Sequence, residues 1–548
     1  MPTVSAHVAL TLAQHIDAVF GVMGNGNAHF LDAIETQTDA VFTAVRHEQG
    51  AVVAADAHFR ASGRIAAGTS TYGAGFTNTL TALAEAVQAH VPLVLVVGDE
   101  PTSGRRPWGV DQIALASAVG ARTYTVGRAD AAATTVIAIE HALTYRLPVV
   151  LAIPYDVASL DAGPVPEAPS PRLPAPLAPT GEFAEGMLDE IAAALREAER
   201  PLLLAGRGAW LAGASDALGE LAALTGALTA SSALGRGVFP DTRYDLGVTG
   251  GFGADGAMEL VRTADVVVVF GASLNQFTMR FGELFAPGTR VFQVDVAPAA
   301  THAHVGGFVR ADARLVAEAL VERVGSTTAR PWRESVDAAS ARVYEAGDDL
   351  AADGRLDPRS AARRIAELLP EDRVVVSDGG HFIGWANMYW PVAAPDRMMM
   401  IGTAFQSIGL GWPSVVGAAL ARRDSTIVLT SGDGGGLMAI ADLESAVRAA
   451  AGRGMAVIWN DAAYGAEVNL YGLKGLAEGP MRIPEVDFAA FGAAVGAEGV
   501  VVRTLADLDR LATWAEEDAA TRRFLLLDLR ISGDVIAPYQ QEIIRVNS

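Results

Sequence analysis

Four glycines surround one carboxylate where an apolar run ends, in STIVLTSGDGGGLMAI at 425–440. Glycines in series allow close backbone approach and offer N–H groups to an anion such as a phosphate. Asp433 sits among them, and a carboxylate in a phosphate cradle is repulsive unless a divalent cation lies between the two. Magnesium suits that place, because it takes hard oxygens and bridges one or two protein oxygens to a diphosphate. Asn460, at the end of the next apolar run MAVIWN, supplies a second oxygen. A helix over 437–451 is expected to turn its positive end toward the anion. Taken alone, a glycine-flanked Asp after a strand is an ordinary strand-to-helix turn.

A second candidate is Glu48, in Arg46-His47-Glu48-Gln49-Gly50. It follows a strand-like run and opens a small-residue helix, where the plain reading is a carboxylate favoured by the helix dipole.

The elements that must position these groups fall into three blocks. Residues 1–165 alternate helical patterns with the short runs DAVFGV, AVFTAV, RIAAGTS, PLVLVVG and PVVLAIP. Residues 184–327 carry RPLLLAG, ALTASS, ADVVVVFGA and RVFQVDV. Residues 360–548 carry DRVVVSDGG, RMMMIGT, STIVLTSGDG, MAVIWND and FLLLDLR. Such alternation predicts βαβ units, so the fold class is α/β with three doubly wound parallel-sheet domains. The proline-rich stretch 161–183 reads as an extended linker, and a charged helical stretch is expected around 330–360. In sheets of this kind ligands bind beyond the carboxyl ends of the strands, where both candidates lie.

Composition narrows the function classes. The chain has 548 residues, no cysteine and a formal charge of −22. Disulfides and thiolate chemistry are excluded, and nucleic-acid phosphates would be repelled. The longest apolar runs are strand-length, too short to span a bilayer, and the first residues lack the pattern of a signal peptide. The expectation is a cytoplasmic protein that binds neither nucleic acid nor membrane.

Gly432-Asp433-Gly434, followed by Asn460, resembles the thiamine diphosphate motif. The three-block layout likewise resembles thiamine diphosphate-dependent enzymes of the acetolactate synthase, benzoylformate decarboxylase and pyruvate decarboxylase family. The resemblance covers essentially the whole chain. It implies thiamine diphosphate and Mg²⁺ as cofactors, with the metal held by Asp433, the Asn460 side chain and the Ala462 carbonyl. Gly432, Gly434 and Gly435 would face the diphosphate, and Tyr464 would lie close by. The segment NDAAYGAE is one residue longer than the family pattern before Tyr464-Gly465.

By the same resemblance, RHEQGA carries the family's activating glutamate, Glu48. This would be a buried carboxyl with a raised pKa that exchanges a proton with the cofactor's pyrimidine ring. In IGTAFQSIGLGWP, Ile408 would prop the cofactor into its bent shape and the Gln406 carbonyl would accept from its amino group. DGGHFIGW resembles a diphosphate-contacting turn, which places Gly380 and His381 there. GAGFTN, with Gly73 and Asn78, resembles a loop facing the cofactor from a partner chain. The family pairs the first block of one subunit with the third block of another, which implies a homodimer or homotetramer with its active site at the interface.

The resemblance implies a 2-oxo acid substrate and leaves the reaction open. GDEPTSGRRPWGVDQ lacks the paired histidines of pyruvate decarboxylases, and the benzoylformate decarboxylase acids have no counterparts. This leans the reading toward a carboligase of the acetolactate synthase kind, with a decarboxylase or a carbon–carbon lyase as alternatives. The FAD-contacting pattern of acetolactate synthases is not evident either, so FAD is not expected. Asn25, His29, Asp99, Glu100, Tyr464 and Glu467 are candidate polar groups around the reacting carbon, with Asn25 and Glu467 as catalytic candidates beside Glu48. Arg105 and Arg106 read as a solvated turn, or else as a site for a substrate carboxylate. His47, His58 and His90 read as structural or surface residues. A nucleotide-dependent oxidoreductase is the remote alternative, and GRGAWLAG at 206–213 is a poor version of the glycine fingerprint that it needs.

Overall fold

The computed structural model describes residues 2–104, 106–167, 169–325 and 331–547. Three six-stranded, wholly parallel sheets follow one another along the chain. The first holds β1 (Ala18–Gly21), β2 (Val41–Ala44), β3 (Ala67–Ser70), β4 (Leu93–Asp99), β5 (Arg122–Thr125) and β6 (Pro148–Pro154), ordered β2-β1-β3-β4-β6-β5. The second holds β7 (Pro201–Ala205), β8 (Leu228–Ser231), β9 (Asp245–Val248), β10 (Val266–Phe270), β11 (Arg290–Asp295) and β12 (Val305–Arg310). Its order is β12-β11-β10-β7-β8-β9. The third holds β13 (Val374–Ser377), β14 (Met398–Met400), β15 (Ile427–Gly432), β16 (Gly454–Asn460), β17 (Glu498–Val502) and β18 (Leu525–Arg530), ordered β14-β13-β15-β16-β18-β17. The first and third sheets therefore repeat one topology.

The middle sheet has the strand order of dinucleotide-binding folds. At its switch point, however, backbone meets backbone: a Cβ on Gly206 would lie 2.4 Å from the Gly271 carbonyl. Residues 162–167 and 169–181 are irregular up to helix Glu182–Glu197, in keeping with their prolines. Among the described residues, the helical stretch expected around 330–360 is broken: the short helices Pro331–Ser335 and Ala338–Ala341 appear, and the Asp- and Gly-rich residues after them are irregular until helix Pro358–Leu368 begins. Among the described residues no helix is long and apolar enough to cross a membrane.

The first and third domains share one continuous apolar core. Its centre is the contact between helices Glu48–Ser62 and Gly411–Ala421, each the helix after the second strand of its domain. The two run parallel: Gln49 Nε2 donates to the Gly409 carbonyl at one end, and Arg422 Nε donates to the Ala61 carbonyl at the other. Small residues let them approach, since a Cβ on Gly417 would stand 1.9 Å from the Ala54 carbonyl. Each helix runs back along its sheet. Parallel helices therefore turn the carboxyl edges of the first and third sheets the same way, with both helix N-termini on one face.

Candidate active site

The third domain gathers its polar groups at three neighbouring strand ends. β15 pairs with β16 up to Gly432 opposite Trp459, and β16 pairs with β18 up to Asn460 opposite Arg530. Asp433 and Asn460 thus emerge side by side. The helix after β15 differs from expectation. It starts at Asp433 itself, ends at Met438, and a 3-10 turn separates it from helix Leu443–Ala450. Asp442 in that turn is drawn toward the first domain, where its carboxylate accepts from the Arg46 amide.

Asn460 is fully buried, and its Nδ2 donates to the Val486 carbonyl and to Asp528 Oδ1, at 3.0 and 2.9 Å. Both partners can only accept, so the amide has one orientation, and its Oδ1 has no partner. Asp433 is buried as well. Its Oδ1 accepts from the Gly434 amide at 2.8 Å, while Oδ2 has no partner. Burial raises the Asp433 pKa, and the charge of nearby Asp461 raises it further. Two orphaned buried oxygens are costly unless something takes them. Among the described residues no cluster of three or more His, Cys, Asp or Glu side chains could hold a metal. The donors at hand are carboxylate and amide-type oxygens, which suit a hard cation.

A cleft lies above these groups. Gly380, His381, Ile408, Gly432, Gly434, Gly435, Tyr464 and Glu467 line it. The glycines leave room that side chains would fill. A Cβ on Gly434 would reach 2.6 Å from Tyr464, and one on Gly435 would reach 2.7 Å from Asp378. His381 Nε2 accepts from the Ala537 amide, so its hydrogen is on Nδ1, and burial pushes its pKa down to about 4. Tyr539 donates to the carbonyls of Gly380 and His381, at 3.1 and 2.9 Å, fixing that turn. Glu467 is exposed at the edge of the cleft.

Ala462 and Gln406 both adopt left-handed backbone conformations, with φ of +58° and +56°. Non-glycine residues are held so only where the surroundings impose it. The Ala462 carbonyl already accepts from the Ile483 amide at 2.9 Å, and Asp461 and Ala463, rather than Ala462, line the cleft. Gln406 is exposed.

Two groups important to the site stood out little in the sequence. Asp461 lines the cleft beside Asp433. Asp378 ties two strand ends to a helix start: its carboxylate accepts from the amides of Gly379, Gly409 and Leu410 and from the Ser431 hydroxyl. It thereby holds the backbone next to Ile408 against the end of β15.

In the first domain Glu48 opens its helix with its side chain half-buried, so the expected burial is only partial in the chain. Its Oε2 accepts from Asn78 Nδ2 at 2.9 Å, and a Cβ on Gly75 would come within 3.4 Å of Oε1. The Gly73 amide donates to Gln112 Oε1. Asn25 and His29 are exposed, and Asn25 Nδ2 donates to the Tyr72 hydroxyl. Asp99 and Glu100 line a separate pocket with Arg106, and burial raises the Asp99 pKa. Arg106 is not a solvated residue. It is half-buried, with its guanidinium 3.8 Å from the Tyr155 ring, because two aromatic faces offer a better seat than the turn. Arg105 lies outside the described residues. His58 is buried and contacts the Arg64 carbonyl, whereas His47 caps its helix and His90 is exposed. No first-domain residue lines the Asp433 cleft among the described residues.

Family models match all three domains of the chain. The N-terminal TPP binding domain of thiamine pyrophosphate enzymes matches residues 2–118, the central domain 188–320, and the C-terminal TPP binding domain 378–529. The chain is similar to the acetolactate synthase isozyme 3 large subunit of Escherichia coli (strain K12). They are 26% identical, over 95% of this chain and 93% of that one. It is also similar to the sulfoacetaldehyde acetyltransferase of Roseovarius nubinhibens, 27% identical over 100% of this chain and 94% of the relative. Among solved structures, a putative thiamin diphosphate-dependent enzyme from Mycobacterium smegmatis superposes with a TM-score of 0.79. That match covers 96% of this chain and 99% of the other at 22% identity.

Proposed function

We propose a reaction for this chain, which belongs to the thiamine pyrophosphate enzyme family: it forms or cleaves a carbon–carbon bond beside the carbonyl of a 2-oxo acid, with carboligation of the acetolactate synthase kind as the first reading. The observation that carries the cofactor site is the pair of buried oxygens without partners, Asp433 Oδ2 and Asn460 Oδ1, beside a glycine cradle.

Asp433, Asn460 and the remaining lone pair of the Ala462 carbonyl would hold Mg²⁺. Gly432, Gly434, Gly435, Gly380 and His381 would face the diphosphate, with Tyr464 alongside. Ile408 and the Gln406 carbonyl would orient the ring portion. When bound, thiamine diphosphate supplies an acidic thiazolium carbon and an electron sink for the bond change. Glu48 holds and exchanges the activating proton: Asn78 fixes Oε2, which leaves Oε1 for proton transfer. Asn25 binds polar substrate atoms, and Glu467 moves a proton at the edge of the cleft.

Both sheets turn their carboxyl edges to one face, and the Asp433 cleft is lined from the third domain. A second copy laid on that face would set Glu48 and the Gly73–Asn78 loop of one chain over the cleft of the other. A homodimer, or a homotetramer built from it, is the proposed active unit.

Relatives named acetolactate synthase and sulfoacetaldehyde acetyltransferase favour joining or transfer of an acyl unit. Glu467 favours a second reading, a decarboxylase or lyase with its own acid set. A panel of 2-oxo acids assayed with Mg-thiamine diphosphate, followed for CO₂ and for acyloin products, tests the choice. Acyloin formation is expected. CO₂ without acyloin selects the second reading, and no turnover with any 2-oxo acid overturns both.

A further inference from the structure

Among the described residues, Arg106 is the basic group that lines a second pocket, together with Gly73 and Tyr72. Its guanidinium lies 3.8 Å from the Tyr155 ring centre and 5.0 Å from that of Tyr72, and its Nη1 donates to the Tyr72 hydroxyl at 2.6 Å. It makes no ion pair with any described residue. Stacking fixes the plane of the fork, and one hydrogen bond uses a single donor, so the other N–H groups remain for a ligand.

Tyr72 receives two donors on its oxygen, from Arg106 and from Asn25 Nδ2 at 2.9 Å. Both acceptor positions of the phenol are then filled, and its own hydrogen is left to donate. Tyr72 directly precedes Gly73, and the same segment leads to Asn78, whose Nδ2 donates to Glu48 Oε2. Tyr72 and the Asn78 partner of Glu48 are thus carried by one short segment, six residues apart in the chain.

We propose that Arg106 and Tyr72 form the subsite that grips an anionic head group of the substrate, a carboxylate or a sulfonate, on the first-domain wall of the active face. The assignment rests on the functional reading above. In a chain of net charge −22, an anion needs such a local cation. Asp99 and Glu100 line the same pocket. Asp99 is engaged by the Glu100 amide and Gln112 Nε2, at 2.8 and 3.3 Å, and both acids set the pocket against an anion anywhere but at the guanidinium.

The test is calorimetric titration of the full chain, loaded with Mg-thiamine diphosphate, with three probes. Oxamate carries a carboxylate and no reactive ketone, isethionate carries a sulfonate, and oxamide is neutral. At least one anion should bind and oxamide should not; the anion that binds identifies the head group. Arg106→Gln should weaken it about 10- to 100-fold, the size of a lost charged hydrogen bond. Tyr72→Phe, which keeps the ring under the guanidinium, should weaken it by a smaller factor with an unchanged melting temperature. Binding of neither anion, equal affinity in Arg106→Gln, or equal binding of oxamide overturns the proposal. Cofactor uptake is measured in the same preparation. Failure of the wild type to take up thiamine diphosphate would overturn the functional reading instead.

Discussion

Asp528 Oδ1 accepts one amide hydrogen of Asn460 at 2.9 Å, and this bond, with the one to the Val486 carbonyl, decides which end of that amide faces Asp433. Asp528 is itself held by the Phe488 amide and the Arg530 guanidinium, at 2.9 and 2.7 Å. A carboxylate on the neighbouring strand thus orients an oxygen that is expected to meet a metal.

Asp528→Asn keeps the shape and can turn one acceptor into a donor, so Asn460 keeps only the Val486 carbonyl to orient it. Affinity for Mg²⁺ in the presence of thiamine diphosphate should fall about 10- to 100-fold, the usual cost of losing a ligand's support. Calorimetric Mg²⁺ titration reads it, and an unchanged affinity refutes the orienting role.

Asp433→Ala should abolish ligand stabilisation. The wild type should gain about 2.7 kcal/mol when Mg-thiamine diphosphate is present at a hundredfold its Kd, while the variant should gain nothing. Melting with and without the ligand, and with EDTA added, measures the difference.

Glu48→Gln should fold and bind Mg-thiamine diphosphate yet turn over at least about a hundredfold more slowly, the size of a general acid–base contribution. Steady-state turnover beside cofactor titration separates the two effects. Near-normal turnover would remove Glu48 from the mechanism.

Gly417→Ala places a methyl 1.9 Å from the Ala54 carbonyl and must part the two helices at the domain junction. A loss of about 1–3 kcal/mol is expected by chemical denaturation. Gly186→Ala, where nothing lies within 4 Å, should instead be neutral or stabilising by up to about 1 kcal/mol.

His381 gives a pH dependence. Burial lowers its pKa from 6.5 to about 4, so between these values the unfolded chain binds a proton that the folded chain refuses. The contribution is fully present above pH 6.5 and is lost as the pH falls toward 4, about 3 kcal/mol in all. His381→Gln should lose less stability between pH 6.5 and 4.5 than the wild type. Equal slopes in urea unfolding would contradict this.

Fourteen of the eighteen strands were legible as apolar runs. The four that were not, β5, β9, β12 and β17, are all edge strands of their sheets. An edge strand is covered less, so RTYT or VGGFVR needs no unbroken apolar run, and central strands such as VVVVF do. At the site, Asp433 and Asn460 were legible because they end such central runs. Asp528, Asp378 and Tyr539 were not, because each acts on a residue at least 31 positions away and only folding brings them together. Arg106 misled for a related reason: Tyr155, which seats it, lies on another loop.

Asp378 joins the Gly409 and Leu410 amides to the hydroxyl of Ser431 through one side chain. The two ends of the cleft therefore form a single mechanical body, and grip at one should be felt at the other. Inorganic pyrophosphate with Mg²⁺, which can fill only the cradle, should slow hydrogen–deuterium exchange at Gly409 and Leu410, ahead of any ring to lean on them.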